Sequence, residues 1–139
     1  MQDPINDMFN RIKNAQAVFH QSVEIPFSKN KYEIAKILEK EGFIGKVEKK
    51  GKDVGKVILV DLKYAKTPYA ENKNHGLKPL ISGIKRISKS GQRIYTKRRN
   101  IKTVRGGYGM AVLSTPKGFM ADKEARKQNL GGELICEIW

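Results

Sequence analysis

Apolar residues recur at helical spacing twice within the first 66 residues. Asp3 followed by Pro4 is typical of a helix start, and Ser28 can cap a second helix. Gly42 can adopt the left-handed backbone conformation just beyond that second helix. The apolar positions are Ile5, Met8, Phe9, Ile12, Ala15 and Phe19 in the first pattern, and Ile34, Ala35, Ile37 and Leu38 in the second. These patterns predict two amphipathic helices.

Three segments between and after these helices are typical of β-strands. Residues 22–26 form a short run that a proline ends, and residues 43–50 and 56–63 flank a turn that contains glycine. The predicted order is therefore helix, strand, helix, strand, strand. This order favours an α+β domain over residues 1–66, with the helices packed on one small sheet.

The rest of the chain begins with a polar segment and then becomes mostly β. Residues 67–76 lack apolar periodicity and are rich in turn formers, so we predict a linker there. Residues 98–105 fit either a helical turn or a loop. The second small domain, residues 77–139, is thus predicted to be mainly β with one short helix. Its predicted elements are extended segments at 80–88, 92–97, 108–114 and 133–139, a turn at Ser90-Gly91, and a helix at 122–128 that ends near Gly131 and Gly132.

The chain is strongly basic, and its charge is unevenly distributed. Its 139 residues include 28 Lys or Arg and 14 Asp or Glu, which gives a formal net charge of +14. Residues 1–66 carry +4 and residues 67–139 carry +10, with nine basic and no acidic residues between positions 85 and 105. This excess favours a polyanionic partner, with nucleic acid ahead of an anionic membrane surface. We expect that partner to bind mainly to the second domain.

One cysteine and the shortness of the apolar runs narrow the class of protein. A single cysteine, Cys136, excludes an internal disulfide and is typical of a reducing compartment. We predict that Cys136 is a buried apolar residue on the same strand face as Leu134 and Ile138. Asp3 and Asp7 stand where a signal peptide carries basic residues, and the apolar runs are only four residues long. We therefore expect a cytoplasmic protein that does not enter a membrane.

A row of cations and an aromatic ring is predicted on the strand at 92–97. The two-residue period of a strand places Arg93, Tyr95 and Lys97 on one face and Ile94 on the other. An aromatic ring between two cations suits base stacking and phosphate pairing. The same residues equally fit a solvated strand face with an incidental tyrosine.

A hydroxyl-rich loop is predicted between the strand at 108–114 and the helix that follows. Ser114 and Thr115 supply hydroxyls for base edges or for a ribose 2′-OH. Lys117 supplies an ammonium for phosphate, and Gly118 permits close backbone approach. An ordinary turn is the alternative. Residues 114–118 taken alone favour this alternative, because Ser, Thr, Pro and Gly are also the commonest turn formers.

Each predicted helix of the first domain carries two candidate phosphate contacts. Arg11 and Asn14 lie one turn apart, away from the apolar stripe of the first helix. Lys29 and Lys31 lie in the first turn of the second helix, where cations oppose the helix dipole. A bound phosphate would relieve this conflict, although solvated helix faces fit the same residues.

The sequence contains no pattern that predicts catalysis. His20 and His75 are 55 residues apart, and neither has a neighbouring carboxylate or thiol pattern. The glycines around Tyr108 precede a strand, whereas the glycines of a dinucleotide-binding loop precede a helix. We predict no enzyme activity, no cofactor and no metal site.

Short motifs in a fixed order match one protein family along nearly the whole chain. They are Asp3-Pro4-Ile5, Asp7-Met8, Arg11-Ile12 and Asn14-Ala15, then Pro26, Ser28-Lys29, Lys31, Ile34-Ala35, Ile37-Leu38 and Glu41-Gly42-Phe43-Ile44, then Arg86-Ile87-Ser88-Lys89, Gly91, Arg93 and Tyr95, and last Ser114-Thr115, Lys117-Gly118, Asp122, Glu124-Ala125-Arg126 and Gly131-Gly132-Glu133. The most specific stretch is 109–139. In these motifs the chain resembles the bacterial small-subunit ribosomal proteins of the S-eight family.

The resemblance implies a primary binder of small-subunit (16S) ribosomal RNA that works in the cytoplasmic ribosome, without catalysis or a cofactor. In the family, two α+β domains bind a helical region of the RNA's central domain, which helps to assemble the platform of the subunit. Neighbouring small-subunit ribosomal proteins are further implied partners, and family members can repress their own messenger RNA. We expect a monomer off the ribosome. The RNA-binding residues that the resemblance implies are Ser114, Thr115, Lys117, Gly118, Ser88, Lys89, Arg93, Tyr95, Gly132, Glu133, Arg11, Asn14, Lys29 and Lys31.

Three positions depart from the family's pattern. Pro116 stands where a third hydroxyl residue is usual, and Ser90 stands where proline is common. Ala121 replaces a frequent threonine, so Asp122 is expected to cap the short helix instead. A general basic RNA-binding or RNA-processing protein outside the ribosome is the alternative interpretation.

Overall fold

The computed structural model describes residues 3–52, 54–66 and 76–139. Over these residues the chain forms three α-helices and ten β-strands, all paired antiparallel, which confirms the predicted α+β class. The chain divides into two compact units, Met1–Ile81 and Ser82–Trp139. Both units contain helices and strands, as predicted for two small domains.

The first unit contains the two predicted helices and a three-stranded sheet. The helices are α1 (Pro4–Ala17) and α2 (Lys29–Lys40), and the strands are β1 (Ser22–Pro26), β2 (Val47–Lys50) and β3 (Val57–Asp61), in the order β1-β3-β2. The side chain of Asp3 accepts hydrogen bonds from the backbone N–H groups at the start of α1. Ser28 does the same for Lys31 at 3.2 Å. The sequence signals for both helix starts therefore correspond to real caps.

The core of the first unit is formed by the predicted apolar faces. Alternate residues of β3, Ile58 and Val60, are fully buried, as expected for a strand with one face against helices. The buried apolar positions of the two helices are Met8, Phe9, Ile12, Ala15, Ile34, Ala35 and Leu38. Phe19, which we predicted on the stripe of α1, lies beyond that helix and stacks on Tyr64 with ring centroids 5.2 Å apart.

A further strand pair lies beside the predicted linker. Strand β4 (Tyr64–Lys66) pairs with β5 (Leu77–Pro79), and Lys66 lies opposite Leu77. The division between the units falls after Ile81, whereas the sequence predicts that the second domain begins at residue 77. This difference arises because β5 pairs with β4 of the first unit. The linker predicted at 67–76 lies outside the described residues, except for Gly76.

The second unit is built on one antiparallel sheet. Its strands are β6 (Ile84–Arg86), β7 (Tyr95–Thr96), β8 (Met110–Thr115), β9 (Gly118–Ala121) and β10 (Gly132–Ile138), and its helix is α3 (Asp122–Gln128). The order is β6-β10-β8-β9, and β7 pairs with β10 as well. Residues 98–105, which fitted a helical turn or a loop, include a 3-10 turn at Arg98–Asn100, and a second one follows at Arg105–Gly107. The closing strand β10 is central, because it pairs with β6, β7 and β8.

The segment after Thr115 differs from the prediction. Ser114 and Thr115 end a strand, and Thr115 pairs with Gly118 across a tight hairpin turn into β9. The prediction that this loop connects a strand directly to a helix is therefore wrong. Gly118 has a φ of +108°, a conformation that glycine supplies without steric strain. The strand was not predicted because its four residues are too few to show a two-residue period.

A β-bulge in β10 changes which residues share a face. Leu134 lies opposite Leu113, but Cys136 lies opposite Val112, so Ile135 is the extra residue. Leu134 therefore faces the side of Leu113, and Cys136 faces the other side. Cys136 is fully buried, as predicted, but its predicted place on the face of Leu134 is wrong.

Helix α3 is held to the sheet by its first residue. Asp122 is 3% exposed, and its carboxylate accepts hydrogen bonds from the backbone N of Ala111 at 3.2 Å and from Arg126 at 2.8 Å. The expected capping role of Asp122 is therefore wrong: the N-cap is Ala121, whose side chain makes no capping bond. The helix ends at Asn129, which is left-handed with a φ of +57°. Under the helix lies a core of Val104, Ala111, Leu113, Met120 and Ala125.

Candidate nucleic-acid interface

A groove of about 870 Å³ in the second unit collects many of the predicted binding residues. It lies where the start of β10 meets β7, the end of β8 and the 3-10 turn at Arg98–Asn100. The lining residues that we had predicted are Tyr95, Ser114, Thr115, Gly132 and Glu133. The lining residues that we had not placed in the predicted set are Thr96, Lys97, Arg98, Arg99, Pro116 and Gly131.

The floor of the groove is set by strand register. Glu133 of β10 lies directly opposite Tyr95 on one neighbouring strand and directly opposite Ser114 on the other. Residues opposite each other in antiparallel strands point to the same face, about 5 Å apart. The tyrosine ring, the carboxylate and the hydroxyl therefore form a row across three strands. Tyr95 is 71% exposed, so its ring is free to stack on a base.

Two glycines allow the strands to approach closely at the end of this row. A side chain at Gly131 would place its Cβ 2.5 Å from the carbonyl oxygen of Thr96 and 2.9 Å from the backbone N of Arg98. A side chain at Gly132 would overlap the carbonyl oxygen of Ser114. Both positions therefore require glycine for packing. RNA contact at Gly132 is implied only by the family resemblance.

The hydroxyls of the hairpin turn have different tasks. Thr115 is 9% exposed, and its Oγ1 donates to the carbonyl of Gly118 at 2.7 Å and accepts from the backbone N of Lys117 at 3.2 Å. Thr115 thus closes the turn. Ser114 is half-buried and lines the groove, while Lys117 and Gly118 are exposed at the tip. The segment is therefore a tight turn, as the alternative interpretation predicted, while RNA contact through the Ser114 hydroxyl stays a prediction.

Three consecutive cations line the wall of the groove. Lys97, Arg98 and Arg99 are exposed and belong to or precede the 3-10 turn. The strand pattern predicts Lys97 beside Arg93 and Tyr95, but it assigns no role to Arg98 and Arg99. The signal that could have found them is the uninterrupted basic run from 85 to 105. A cationic wall beside an exposed ring suits a nucleic-acid backbone next to stacked bases.

Ser88 and Arg93 both donate hydrogen bonds to the carboxylate of Glu133. Ser88 is fully buried, and its Oγ donates to Glu133 Oε2 at 2.5 Å. Arg93 donates to the same oxygen at 3.0 Å. Burial acts to raise the pKa of Glu133, but these two hydrogen bonds and the nearby guanidinium charges outweigh it and hold that pKa below its ordinary value. Lys89 is exposed next to Ser88, in an isolated bridge with Gln92.

The predicted residues of the first unit lie on α1 and α2. Asn14 and Lys29 are exposed, and Arg11 pairs with Asp7 at 2.9 Å on the surface of α1. Lys31 is only 5% exposed, so most of its side chain is covered in the free protein. Burial lowers the pKa of Lys31; the negative charge of Asp7 opposes this shift, and the positive charge of Arg11 adds to it.

A second cationic feature of the first unit was not predicted. Lys56 lies 4.3 Å from the ring centroid of Phe27, and Lys49 lies 4.9 Å from that of Tyr32. Lys36 lies 5.6 Å from the same tyrosine ring and pairs with Glu39. No sequence signal joins these residues, because they come from different elements. The rings hold the ammonium groups at the surface by cation–π attraction.

Other classes of site find no support in the described part of the chain. Within residues 3–52, 54–66 and 76–139, no three His, Cys, Asp or Glu side chains group as metal ligands. Over the same ranges, no helix is both long and apolar enough to span a bilayer.

Comparison with known proteins identifies the family. Residues 3–139 match the family model described as Ribosomal protein S8. Small ribosomal subunit protein uS8 of Caldanaerobacter subterraneus subsp. tengcongensis is 50% identical over 139 residues, covering 100% of this chain and 98% of the relative. The uS8 proteins of Petrotoga mobilis and Mycoplasmopsis pulmonis are each 49% identical, covering 99% of this chain and 98% and 96% of the relatives. The resemblance found in the sequence is confirmed, and the chain belongs to the ribosomal protein S8 family.

Proposed function

We propose that this protein is a primary binder of small-subunit ribosomal RNA, and that it recognises the central domain of that RNA through the groove of the second unit. Its family makes it a structural constituent of the small ribosomal subunit in the cytoplasm, not an enzyme. The observation that carries the RNA proposal is the row of Tyr95, Glu133 and Ser114 beside the cations 97–99.

The groove supplies the two kinds of contact that structured RNA requires. Phosphate contacts give affinity without sequence information, and the exposed cations at 97–99 and Lys117 suit that task. Irregular RNA presents unstacked bases and 2′-hydroxyls, which aromatic rings and hydroxyl groups recognise. Tyr95 would stack on a base, and Ser114 would bond a base edge or a ribose. Thr115 would act by holding the turn rather than by direct contact.

The first unit would contribute additional phosphate contacts. Arg11, Asn14 and Lys29 are exposed, and Lys49 and Lys56 are held at the surface by aromatic rings. A messenger RNA segment folded like the ribosomal site would bind the same groove, which would allow the protein to repress its own translation. Neighbouring small-subunit proteins would bind surfaces outside the groove.

The alternative function is that of a general basic RNA-binding protein. Ser114 and Tyr95 distinguish the two functions. Plain electrostatic binding needs cations, but it needs neither a groove-facing hydroxyl nor an exposed ring. A titration should compare a central-domain fragment of 16S ribosomal RNA with a scrambled hairpin of equal length. We expect the wild-type protein to bind the central-domain fragment at least about a hundredfold more tightly than the scrambled hairpin. This is a conservative threshold, because specific nucleic-acid binders commonly reach a ratio of about a thousandfold or more.

Single substitutions then test the row. Ser114→Ala and Tyr95→Ala should each reduce that preference by about tenfold, since one base stacking or hydrogen bond contributes about 1–3 kcal/mol. Tyr108→Ala is the matched control, because Tyr108 is 91% exposed at the opposite end of β8. Equal affinity of the wild-type protein for both RNAs would refute the proposal. Equal losses for Tyr95→Ala and Tyr108→Ala would place recognition outside the groove.

A further inference from the structure

Glu133 stands out because it is an acidic residue among the cations of the groove. Lys97, Arg98 and Arg99 line the same groove, and no other Asp or Glu lines it among the described residues. A negative charge in a groove that binds a polyanion repels phosphate and lowers affinity. Its position therefore needs a reason other than affinity.

Ser88 holds the Glu133 carboxylate from inside the protein. Ser88 is 0% exposed in the free protein, so its hydroxyl is not accessible to an RNA. Its Oγ accepts a hydrogen bond from the backbone N of Ile94 at 3.2 Å and donates to Glu133 Oε2 at 2.5 Å. Its own backbone N donates to the carbonyl of Leu134 at 3.1 Å. The hydroxyl is thereby fixed between the two segments that it joins.

Arg93 binds the same carboxylate oxygen from the solvent side. Its Nη1 donates to Oε2 at 3.0 Å, and its side chain is 51% exposed while that of Glu133 is 17% exposed. Both donors use Oε2, and Oε1 accepts no hydrogen bond from the described residues. Because buried polar side-chain atoms all have partners over this part of the chain, Oε1 must be accessible to solvent. The carboxylate therefore presents one oriented, unused acceptor.

We propose that Ser88 and Arg93 are positioning residues that fix Glu133 Oε1 as an acceptor for a hydrogen-bond donor of the RNA, so that the groove favours an RNA that presents a donor at this point over one that presents only phosphate. This inference rests on the proposed function, because it assigns the basis of selection within the same groove. An ionised phosphodiester offers only acceptors, so a carboxylate repels it. A base amino group or a 2′-OH can donate, so a carboxylate accepts it.

The hydrogen bonds from Ser88 and Arg93 also limit how much the negative charge of Glu133 weakens RNA binding. Arg93 neutralises Glu133 before RNA arrives, and the two donors on Oε2 keep the carboxylate from rotating. Tyr95 and Ser114 lie on either side of Glu133 across the strands, so a base stacked on Tyr95 would bring its polar edge toward Oε1. A hydrogen bond to a charged acceptor is about twice as strong as a neutral one. Selectivity would therefore come from one group that weakens non-specific binding and strengthens the specific complex.

The test measures the dissociation constants of variants for the central-domain fragment and for the scrambled hairpin. Glu133→Gln should weaken binding to the central-domain fragment by about tenfold, because the charged acceptor is lost. The same variant should strengthen binding to the scrambled hairpin by about threefold, because one repulsive charge is removed. Opposite changes for the two RNAs are not expected from a merely structural residue. Glu137→Gln is the matched control on the same strand, four residues further on, and should change neither affinity.

Ser88 is tested through its dependence on Glu133. Ser88→Ala should weaken the central-domain complex by about threefold to tenfold, and Ser88→Cys, which keeps the volume but donates poorly, should behave alike. In the Glu133→Gln background, Ser88→Ala should cause no further loss of preference. Full preference in Glu133→Gln, or additive losses in the double variant, would overturn the inference while leaving the proposed function intact. Loss of preference in the wild-type protein itself would overturn the proposed function instead.

Discussion

The cationic wall of the groove makes a quantitative prediction about salt. Arg98 and Arg99 are exposed in the 3-10 turn, and neither forms an ion pair with the described residues. Replacing both with glutamine removes two positive charges while keeping polar side chains of moderate length. The change should reduce affinity for any RNA, because phosphate contacts do not depend on sequence.

The magnitude follows from the number of cations around the groove. Those without an ion pair among the described residues are Lys89, Lys97, Arg98, Arg99 and Lys117. If each neutralises one phosphate, the groove contributes about −4.5 to the slope of log affinity against log salt, which lowers affinity about 500-fold between about 50 and 200 mM salt. Phosphate contacts of the first unit would add the same amount to the slope in every variant. Removing two charges should make the slope shallower by about 1.8, so that the contribution of the groove to the loss of affinity falls to about 40-fold over the same change in salt.

The assay is a fluorescence titration of the central-domain fragment at several salt concentrations. Lys85→Gln with Lys102→Gln is the matched control, because both side chains are exposed and lie near Glu137, at the far end of β10. The control should keep the wild-type slope, apart from long-range effects that salt screens. An unchanged slope in Arg98→Gln with Arg99→Gln would show that these arginines do not contact phosphate. Equal slope changes in both double variants would show that charge acts without a defined groove.

Three further predictions concern the structure that supports the groove. Gly132→Ala should destabilise the protein by about 1–3 kcal/mol in denaturant unfolding, because its Cβ would overlap the carbonyl of Ser114; unchanged stability would mean that the strands can separate there. Asp122→Ala should lower the free energy of unfolding by about 1–3 kcal/mol, because the buried N–H of Ala111 loses its acceptor. Asp122→Asn should lower it less, because the amide oxygen can still accept that hydrogen bond. Equal losses in both variants would assign the effect to the ion pair with Arg126. Burial raises the pKa of Cys136 to about 12, so the folded protein should resist alkylation at about pH 8, and rapid labelling under native conditions would contradict its burial.

Local signals in the sequence were sufficient for the helices. Asp3 and Ser28 accept hydrogen bonds from the first turns of α1 and α2, as the cap patterns predicted. Helix α3 covers the predicted residues 122–128. A helix is stabilised by contacts within one or two turns, so its pattern and its caps are written in neighbouring residues.

The strand faces of the second unit could not be predicted in the same way. The bulge at Ile135 places Leu134 and Cys136 on opposite faces, although a two-residue period predicts the same face. Strand β9 was not predicted at all, and the segment 92–97 contains only two residues of regular strand. Strand pairing is a long-range property, since residues of β10 pair with residues up to 54 positions away along the chain, as Ile138 does with Ile84.

For the candidate binding residues, too, the sequence determined one part and the tertiary structure another. The sequence by itself determined the α+β class, the excess of positive charge in the second half, and the residue types that suit RNA, because composition and short-range pattern carry them. Only the tertiary structure decided that Ser88 is buried under Glu133, that Thr115 closes a turn, and that Tyr95, Glu133 and Ser114 form one row. Those outcomes depend on the register of three strands, which is fixed by contacts between residues far apart in the chain.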